Sequence, residues 1–170
     1  MSEKIWLVDR DDQPVGEGWQ VRSYVPGEMK NSFRTVYGFV RNGAGRIWFP
    51  FRNADRPIFP LCYEFSVAGT VIFGETYEDA IARETLEETG IDFSRAPTRF
   101  LGQFNPFRYG LSSHIRAWEI LSDQIPYFNR KLFNFYMWVT PDEFRSLVQR
   151  GIALKPDLAQ MVDLVYPIAA

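Results

Sequence analysis

The sequence predicts an α+β protein in which helices pack against a mixed β-sheet. Short runs rich in Val, Ile, Phe and Tyr alternate along the chain with amphipathic helical segments. The turn cluster Asn42–Gly45 joins two of these runs and therefore demands that they pair antiparallel. Because strands and helices interleave elsewhere, a mixed sheet with helices packed on it is the simplest arrangement that satisfies both observations.

The predicted strands share an enrichment in β-branched and aromatic residues between turn signals. In chain order they cover residues 5–8, 14–16, 33–40, 46–51, 65–68, 99–104, 114–121 and 133–139. The turn cluster at 9–12 favours a hairpin between the first two strands. Residues 52–60 are polar and contain two prolines, so we predict a loop there.

Three helices are predicted from their caps and apolar stripes. The first runs from Tyr77 to Thr89 and ends at Gly90, a residue type that suits a helix C-terminus. The second begins at the capping box Thr140–Glu143 and ends at Gly151. The last helix opens at Pro156 and carries apolar residues along one face.

Composition and charge narrow the class of protein. The chain has 170 residues, 46% of them hydrophobic, so we expect a single domain over residues 1–170 with a core of its own. A net charge of −2 argues against a nucleic-acid polymer as partner. Cys62 is the only cysteine, which excludes an internal disulfide and a cysteine-based zinc site. We also expect no signal peptide and no membrane span, and hence a cytoplasmic protein.

The first predicted helix carries a group of acidic residues. At 100° per residue, Glu84 and Glu88 continue the face that begins with Tyr77 and Ile81, and Glu87 flanks it. A solvated acidic face is the usual meaning of clustered glutamates, but these extend the inward stripe instead of opposing it. Three such carboxylates repel one another and raise their own pKa values unless a cation is bound. Oxygen ligands without His or Cys select Mg²⁺, Mn²⁺ or Ca²⁺ over zinc.

The spacing around this helix resembles the Nudix box. The order is Gly, five residues, Glu, seven residues, Arg-Glu, two residues, Glu-Glu, one residue, Gly and an aliphatic residue. The matching positions are Gly69, Glu75, Arg83, Glu84, Glu87, Glu88, Gly90 and Ile91. Thr85 departs from the pattern, which has a bulky aliphatic there, and we interpret the change as a packing variation.

Flanking segments extend the resemblance to the Nudix branch related to isopentenyl-diphosphate isomerase. They lie at 6–9, 31–36, 45–52, 59–60, 66–69, 138–143 and 155–157. The resemblance implies an α/β/α sandwich and hydrolysis, dependent on Mg²⁺ or Mn²⁺, of a diphosphate linkage in a nucleoside diphosphate-X or a related small molecule. It disfavours the isomerase itself, since those enzymes have Cys before and His after the box glycine, where this chain has Ala68 and Thr70. Their metal site also needs several histidines, and His114 is the only one here.

The resemblance also implies roles for the box residues. Glu84, Glu87 and Glu88 would hold the metal, with the backbone carbonyl of Gly69 as a further ligand. Glu87 or Glu88 would orient or deprotonate the attacking water. Arg83 and Glu75 are counted with the catalytic residues as supports that hold those carboxylates, although a plain structural ion pair explains them equally well.

The substrate is less defined by the sequence. Arg52, and more weakly Arg34, are the candidates for gripping a phosphate, with a solvated arginine as the competing interpretation. The 15 Phe, 8 Tyr and 5 Trp exceed the ordinary needs of a core, which leaves room for substrate stacking and for a homodimer interface. A non-catalytic Nudix-fold binding or regulatory module stays as the alternative, although such modules usually lack box glutamates and this chain retains all of them. His114 and Cys62 are expected to be structural.

Overall fold

The computed structural model describes residues 3–19 and 32–168 and shows the expected mixed sheet with helices packed on it. Residue 31, where one of the flanking segments begins, lies outside this part of the chain. The elements are β1 (Lys4–Val8), β2 (Pro14–Trp19), β3 (Ser32–Arg41), β4 (Ile47–Arg52), β5 (Val67–Thr70), α1 (Tyr77–Thr89), β6 (Thr98–Phe104), α2 (Pro106–Tyr109), β7 (His114–Leu121), β8 (Phe133–Val139), α3 (Pro141–Gln149) and α4 (Leu158–Val165).

Strand β3 is the centre of the sheet. It pairs antiparallel with β1 and β5, and parallel with β7 along its whole length from Arg34 to Arg41. Strand β6 pairs antiparallel with β7, and β2 pairs antiparallel with β1 as the predicted first hairpin. Parallel and antiparallel pairs therefore coexist in one sheet, as the sequence predicts.

The hairpin at Asn42–Gly45 is much shorter than the sequence suggests. Its turn forms as expected, with Gly45 N–H donating to the Asn42 carbonyl at 2.9 Å. Only Arg41 and Ile47 pair across it, after which β4 leaves β3 and pairs along its length with β8. The physical reason is that β5 and β7 already occupy the two edges of β3.

Two hydrophobic cores lie on opposite faces of the sheet, which gives the sandwich its layers. Alternate residues of β3 divide between them: Tyr37 and Phe39 face one, Val36 and Val40 the other. Phe144 of α3 and the apolar face of α4 fill the first core. Tyr77, Ala80 and Ile81 of α1 fill the second, where each fully buried aliphatic or aromatic side chain contributes about 1.5–3 kcal/mol.

The helices agree with the predicted segments except at the start of α4 and in the short α2. Helix α1 matches the predicted 77–89, capped by Thr76 and Asp79 and ended by Gly90 at φ 70°. Helix α4 begins at Leu158 and not at Pro156, because Asp157 adopts a left-handed φ of 69° and its carboxylate accepts from Ser112 N–H. The four-residue α2 escaped prediction because a single turn leaves no periodicity.

No helix within the described ranges 3–19 and 32–168 has both the length and the apolar character needed to cross a membrane.

Candidate active site

A cavity of about 520 Å³ opens beside β5 and the C-terminal half of α1. Residues of β3, the loop after β4, β5, α1 and the segment before α4 all contribute to its walls. Glu84, Glu88 and Gly69 are among the lining residues, so three of the predicted metal-binding positions meet here.

Helix α1 delivers two of the three glutamates to this cavity. Tyr77 and Ile81 anchor the same helix face in the core, and Glu84 and Glu88 follow at the spacing that continues the face. Glu87 does not line the cavity, and its side chain is 59% exposed. Leu86 is exposed as well, so α1 is covered by the core on one side only.

Thr85 supports the interpretation of a packing variation. Its side chain is fully buried, and its hydroxyl donates to the Ile81 carbonyl at 2.6 Å. The polar atom is thereby satisfied within the helix, and the residue fills the place of an aliphatic side chain without reaching the cavity.

Arg83 ties the box together. Its Nε donates to Glu75 Oε1 at 2.7 Å and its Nη2 to Glu75 Oε2 at 3.0 Å, a bidentate pair, while Nη1 donates to Glu84 Oε1 at 2.7 Å. The hydrogen bonds that Arg83 donates to Glu75 are the main reason that the pKa of Arg83 is raised above its usual value. Glu87 Oε2 lies 3.7 Å from Nη1. Arg83 and Glu75 therefore orient the Glu84 carboxylate from behind.

Position 69 in β5 has room only for glycine, because the Glu84 side chain packs against the strand there. A Cβ built on Gly69 would lie 2.1 Å from the carboxyl carbon of Glu84. The Glu84 side chain thus rests directly on the β5 backbone, which brings its carboxylate close to the strand. This close approach gives the box glycine a physical role in placing Glu84.

Glu88 sits in an environment that opposes its charge. Loss of solvent raises its pKa to about 8, and the carboxylates of Glu64 and Glu84 add to the shift. The Ala68 N–H donates to Glu88 Oε2 at 2.9 Å and offsets only part of this cost. The pKa of Glu84 is raised too, chiefly by burial. A bound cation would relieve both carboxylates.

The donor set fits a hard divalent cation. Glu84 and Glu88 face one cavity, and its lining contains neither histidine nor cysteine. Within residues 3–19 and 32–168, no three acidic, histidine or cysteine side chains already converge in an arrangement that could hold a metal ion. Because Glu87 is exposed on the adjoining turn of α1, its side chain has room to join the other two.

The structure separates the two candidate phosphate ligands: Arg52 lines the cavity and Arg34 does not. Arg34 lies on the opposite face of β3 from the cavity, bound to Asp12 at 2.7 Å and packed over the Tyr77 ring. Arg52 does line the cavity, but each of its three guanidinium nitrogens already has a protein acceptor: Glu64, Ile58 and Phe59. Arg34 is thus not placed to bind a phosphate in the cavity, and three of the five N–H donors of Arg52 are already bound to protein acceptors.

Three other residues on the cavity wall were missed in the sequence. Glu64 bridges Arg52 and Lys155, and Arg56 lines the cavity with a buried Nε that has no hydrogen-bond partner among the described residues. Arg56 lies in an irregular loop, where no periodicity marks a functional side chain. Lys155 belongs to one of the flanking segments of the resemblance, which was the available signal.

His114 and Cys62, which the sequence led us to expect as structural residues, are both buried and contact backbone carbonyls. His114 is buried, with its Nε2 2.9 Å from the Asp9 carbonyl. Cys62 is buried, and its thiol donates to the Phe59 carbonyl at 3.2 Å. Neither residue lines the cavity.

Comparison with known sequences agrees with the box. The NUDIX domain matches residues 31–159. A Nudix hydrolase of Nostoc sp. is 36% identical over 164 residues, which is 96% of this chain and 96% of its own length. A Nudix hydrolase of Deinococcus radiodurans is 35% identical over 165 residues, covering 97% of this chain and 95% of its own.

Solved structures agree with the fold. A crystal structure of a Deinococcus radiodurans protein has a TM-score of 0.88 at 35% identity, covering 96% of this chain and 99% of that one. The MutT protein of Methanosarcina mazei has a TM-score of 0.56 at 19% identity over 78% of this chain and 89% of that one, a likeness that concerns the fold alone.

Proposed function

The chain belongs to the Nudix family of pyrophosphohydrolases, and on that premise we propose that it cleaves the diphosphate linkage of a small molecule, a nucleoside diphosphate-X or a related compound, with Mg²⁺ or Mn²⁺. The observation that carries the proposal is the pair of carboxylates, Glu84 and Glu88, on one cavity wall with their pKa values raised. Such a pair is costly in the free protein and useful once a cation and a phosphate are bound.

The residues divide the chemistry among themselves. Glu84, Glu87 and Glu88 would hold the cation, with the Gly69 carbonyl at the edge of the same site. When bound, the cation supplies charge neutralisation at the phosphate oxygens and a lowered pKa of a coordinated water. Glu87 or Glu88 would orient the attacking water or accept its proton, and Arg83 with Glu75 keeps Glu84 in place.

Two other activities are less well supported. A non-catalytic binding module is disfavoured because each glutamate of the box is present. Isopentenyl-diphosphate isomerisation needs a thiol in the cavity, but Ala68 stands before the box glycine and Cys62 points its thiol at the Phe59 carbonyl. A homodimer and a cytoplasmic location stay predictions, as does action as a single domain.

We expect hydrolysis of at least one diphosphate substrate in the presence of Mg²⁺ or Mn²⁺ and none in excess chelator. The reason is that the cavity holds carboxylates and no imidazole or thiol that could replace a hard cation. Phosphate release from a panel of nucleoside diphosphates, nucleoside diphosphate sugars and non-nucleoside diphosphates measures this.

Full turnover in chelator would contradict the metal requirement. Metal binding without turnover of any substrate in the panel would favour the binding module. Conversion of isopentenyl to dimethylallyl diphosphate above background would restore the isomerase interpretation.

Arg56 is the side chain that best suits a substrate phosphate. It lines the same cavity as Glu84 and Glu88, and its guanidinium forms no ion pair with any described residue. An arginine so placed gains its partner only when an anion enters. The charge-assisted hydrogen bonds formed then are worth about 1.5–3 kcal/mol.

We therefore expect Arg56→Gln to raise KM about 10- to 150-fold and to change kcat little, since the contact would act equally in the ground and transition states. Steady-state kinetics on the best substrate of the panel measures the split. Arg150→Gln, a change at an exposed arginine away from the cavity, is the matched control. An unchanged KM for Arg56→Gln would remove Arg56 from the site.

A further inference from the structure

Resting on the proposed hydrolase function, we propose that Phe59 is the specificity-determining residue of the cavity. Its ring is the surface on which a flat aromatic group of the substrate, such as a nucleobase, stacks. Arg52 is the positioning residue that holds Phe59 there.

The backbone around Phe59 is held in a costly conformation. Phe59 has φ 50° and Leu61 has φ 53°, a left-handed region that bulky residues rarely adopt. Phe59 also precedes Pro60, and a residue in that position normally prefers an extended conformation. Two such residues in one loop persist only where the surroundings fix them, and such sites are often functional.

Arg52 supplies that fixation from below the loop. Its Nε donates to the Phe59 carbonyl at 2.8 Å and its Nη2 to the Ile58 carbonyl at 2.7 Å. Its third nitrogen is paired with the buried Glu64, which Lys155 binds from the other side. The fork of one guanidinium thus joins the tip of the loop to a buried ion-pair network, a geometry that lysine cannot reproduce.

The conformation presents an aromatic ring that the protein itself does not use. Phe59 is among the residues that line the cavity, is 44% exposed and stacks on no ring among the described residues. Phe51, at the end of β4, differs in this respect, because it stacks on Phe135 with ring centroids 4.4 Å apart. The Phe59 ring lies outside the hydrophobic core, in a loop whose left-handed backbone conformation costs free energy. The ring is therefore available to a ligand.

The same loop explains the class of ligand. Arg56 lies three residues before Phe59 and lines the same cavity. A molecule that places a diphosphate against Arg56 and the α1 carboxylates can lay an aromatic group against Phe59. Stacking on an aromatic side chain is worth about 5- to 150-fold in affinity per base.

Calorimetric binding to the whole chain with Mg²⁺ tests the proposal without requiring turnover. One pair of probes consists of the α,β-methylene analogues of a purine and a pyrimidine nucleoside diphosphate, and the base-free probe is methylenediphosphonate. We expect Phe59→Leu to lower the affinity for the nucleoside probes about 5- to 150-fold. The affinity for the base-free probe should stay within about twofold of the wild-type value. Phe59→Trp should retain the preference, since an indole ring also stacks.

Arg52→Lys should reproduce the loss of base preference seen in Phe59→Leu, because it removes the hold on the loop and keeps the charge beside Glu64. Tyr127→Leu, at an aromatic residue that is 80% exposed and outside the cavity, is the matched control and should bind like the wild type. If Arg52→Lys does not fold, the two Phe59 variants decide alone.

Three results would overturn the proposal. Phe59→Leu could lower the affinity for nucleoside and base-free probes equally, or it could leave both affinities unchanged. The third is that the wild type binds none of the probes. A wild type that binds the nucleoside probes in a Phe59-dependent way but hydrolyses no diphosphate would refute the hydrolase function and leave this inference standing. A wild type that hydrolyses diphosphates, but whose base preference does not depend on Phe59, would support the hydrolase function and refute this inference.

Discussion

Replacing Glu88 by glutamine is expected to lower kcat at least about 100-fold, while the metal-free protein becomes no less stable. The loss in rate corresponds to about 3 kcal/mol, the scale of charge stabilisation that a bound metal supplies to a phosphoryl-transfer transition state. The gain in stability follows from the site itself, because the variant removes a charge that burial and the carboxylates of Glu64 and Glu84 oppose. Glu78→Gln, on the exposed side of the same helix, is the matched control.

The effect on stability depends on pH in a definite direction. The folded protein holds the Glu88 proton up to a pKa of about 8, whereas the unfolded chain releases it near the ordinary glutamate value. Between these values the folded state binds more protons, so the unfolding free energy of the wild type falls as the pH rises. In chelator, the advantage of Glu88→Gln should therefore be absent near pH 4 and reach about 1 kcal/mol or more by pH 8.

Thermal melts with and without Mg²⁺ complete the test. Mg²⁺ should stabilise the wild type by mass action and the variant much less. If Glu88 were only a structural residue, replacing its carboxylate by an amide would weaken the charge-assisted hydrogen bond from the Ala68 N–H and lower the melting temperature in chelator while activity survived. That combination would overturn the assignment of the site.

Gly69→Ala is expected to lower kcat about 10- to 100-fold with little change in stability. The new methyl group would lie 2.1 Å from the Glu84 carboxyl carbon, so the Glu84 side chain must move. The far end of a flexible side chain moves at small cost to the fold. Displacing a metal-binding carboxylate lowers activity. Losses of about 10- to 100-fold in metal affinity or activity are typical when the residues that support a metal ligand are changed.

Kinetics and a Mg²⁺ titration of Gly69→Ala measure this effect. Gly43→Ala is the matched control, because its new Cβ would lie 3.3 Å from Asp123 and neither residue lines the cavity. Wild-type turnover in Gly69→Ala would show that Glu84 works equally well when displaced from the β5 backbone.

Much of the fold could be predicted because its elements carry local signals. Helix α1 and strands β7 and β8 match the predicted bounds, since caps, turns and periodicity all lie within the segments themselves. The fate of β4 was not predictable in this way. Its departure from β3 depends on β5 and β7 taking the edges of β3, and that competition involves residues far away in the chain.

In the candidate site, too, the residues on regular elements could be placed from the sequence and those that depend on loops could not. Glu84 and Glu88 could be placed from helix periodicity, because the face that carries them is fixed by Tyr77 and Ile81. Arg52 could not be interpreted from the sequence, because its partners Glu64, Ile58 and Phe59 are brought to it by a loop of irregular conformation. Arg56 stayed hidden for the same reason.

The single backbone pair between β3 and β4 has a consequence for how the cavity is built. Beyond Arg41 and Ile47, β4 is joined to β3 through Ser66, whose hydroxyl accepts from the Val40 N–H and donates to the Trp48 carbonyl, and to the segment before β5 through a bridge between Phe51 and Tyr63. Arg52 is the last residue of β4, whereas Glu84 and Glu88 sit on a helix that packs against β3 and β5. The side of the cavity that carries Arg52 and the acidic centre on α1 therefore rest on different strands, so that recognition and chemistry are built on separate supports within one sheet.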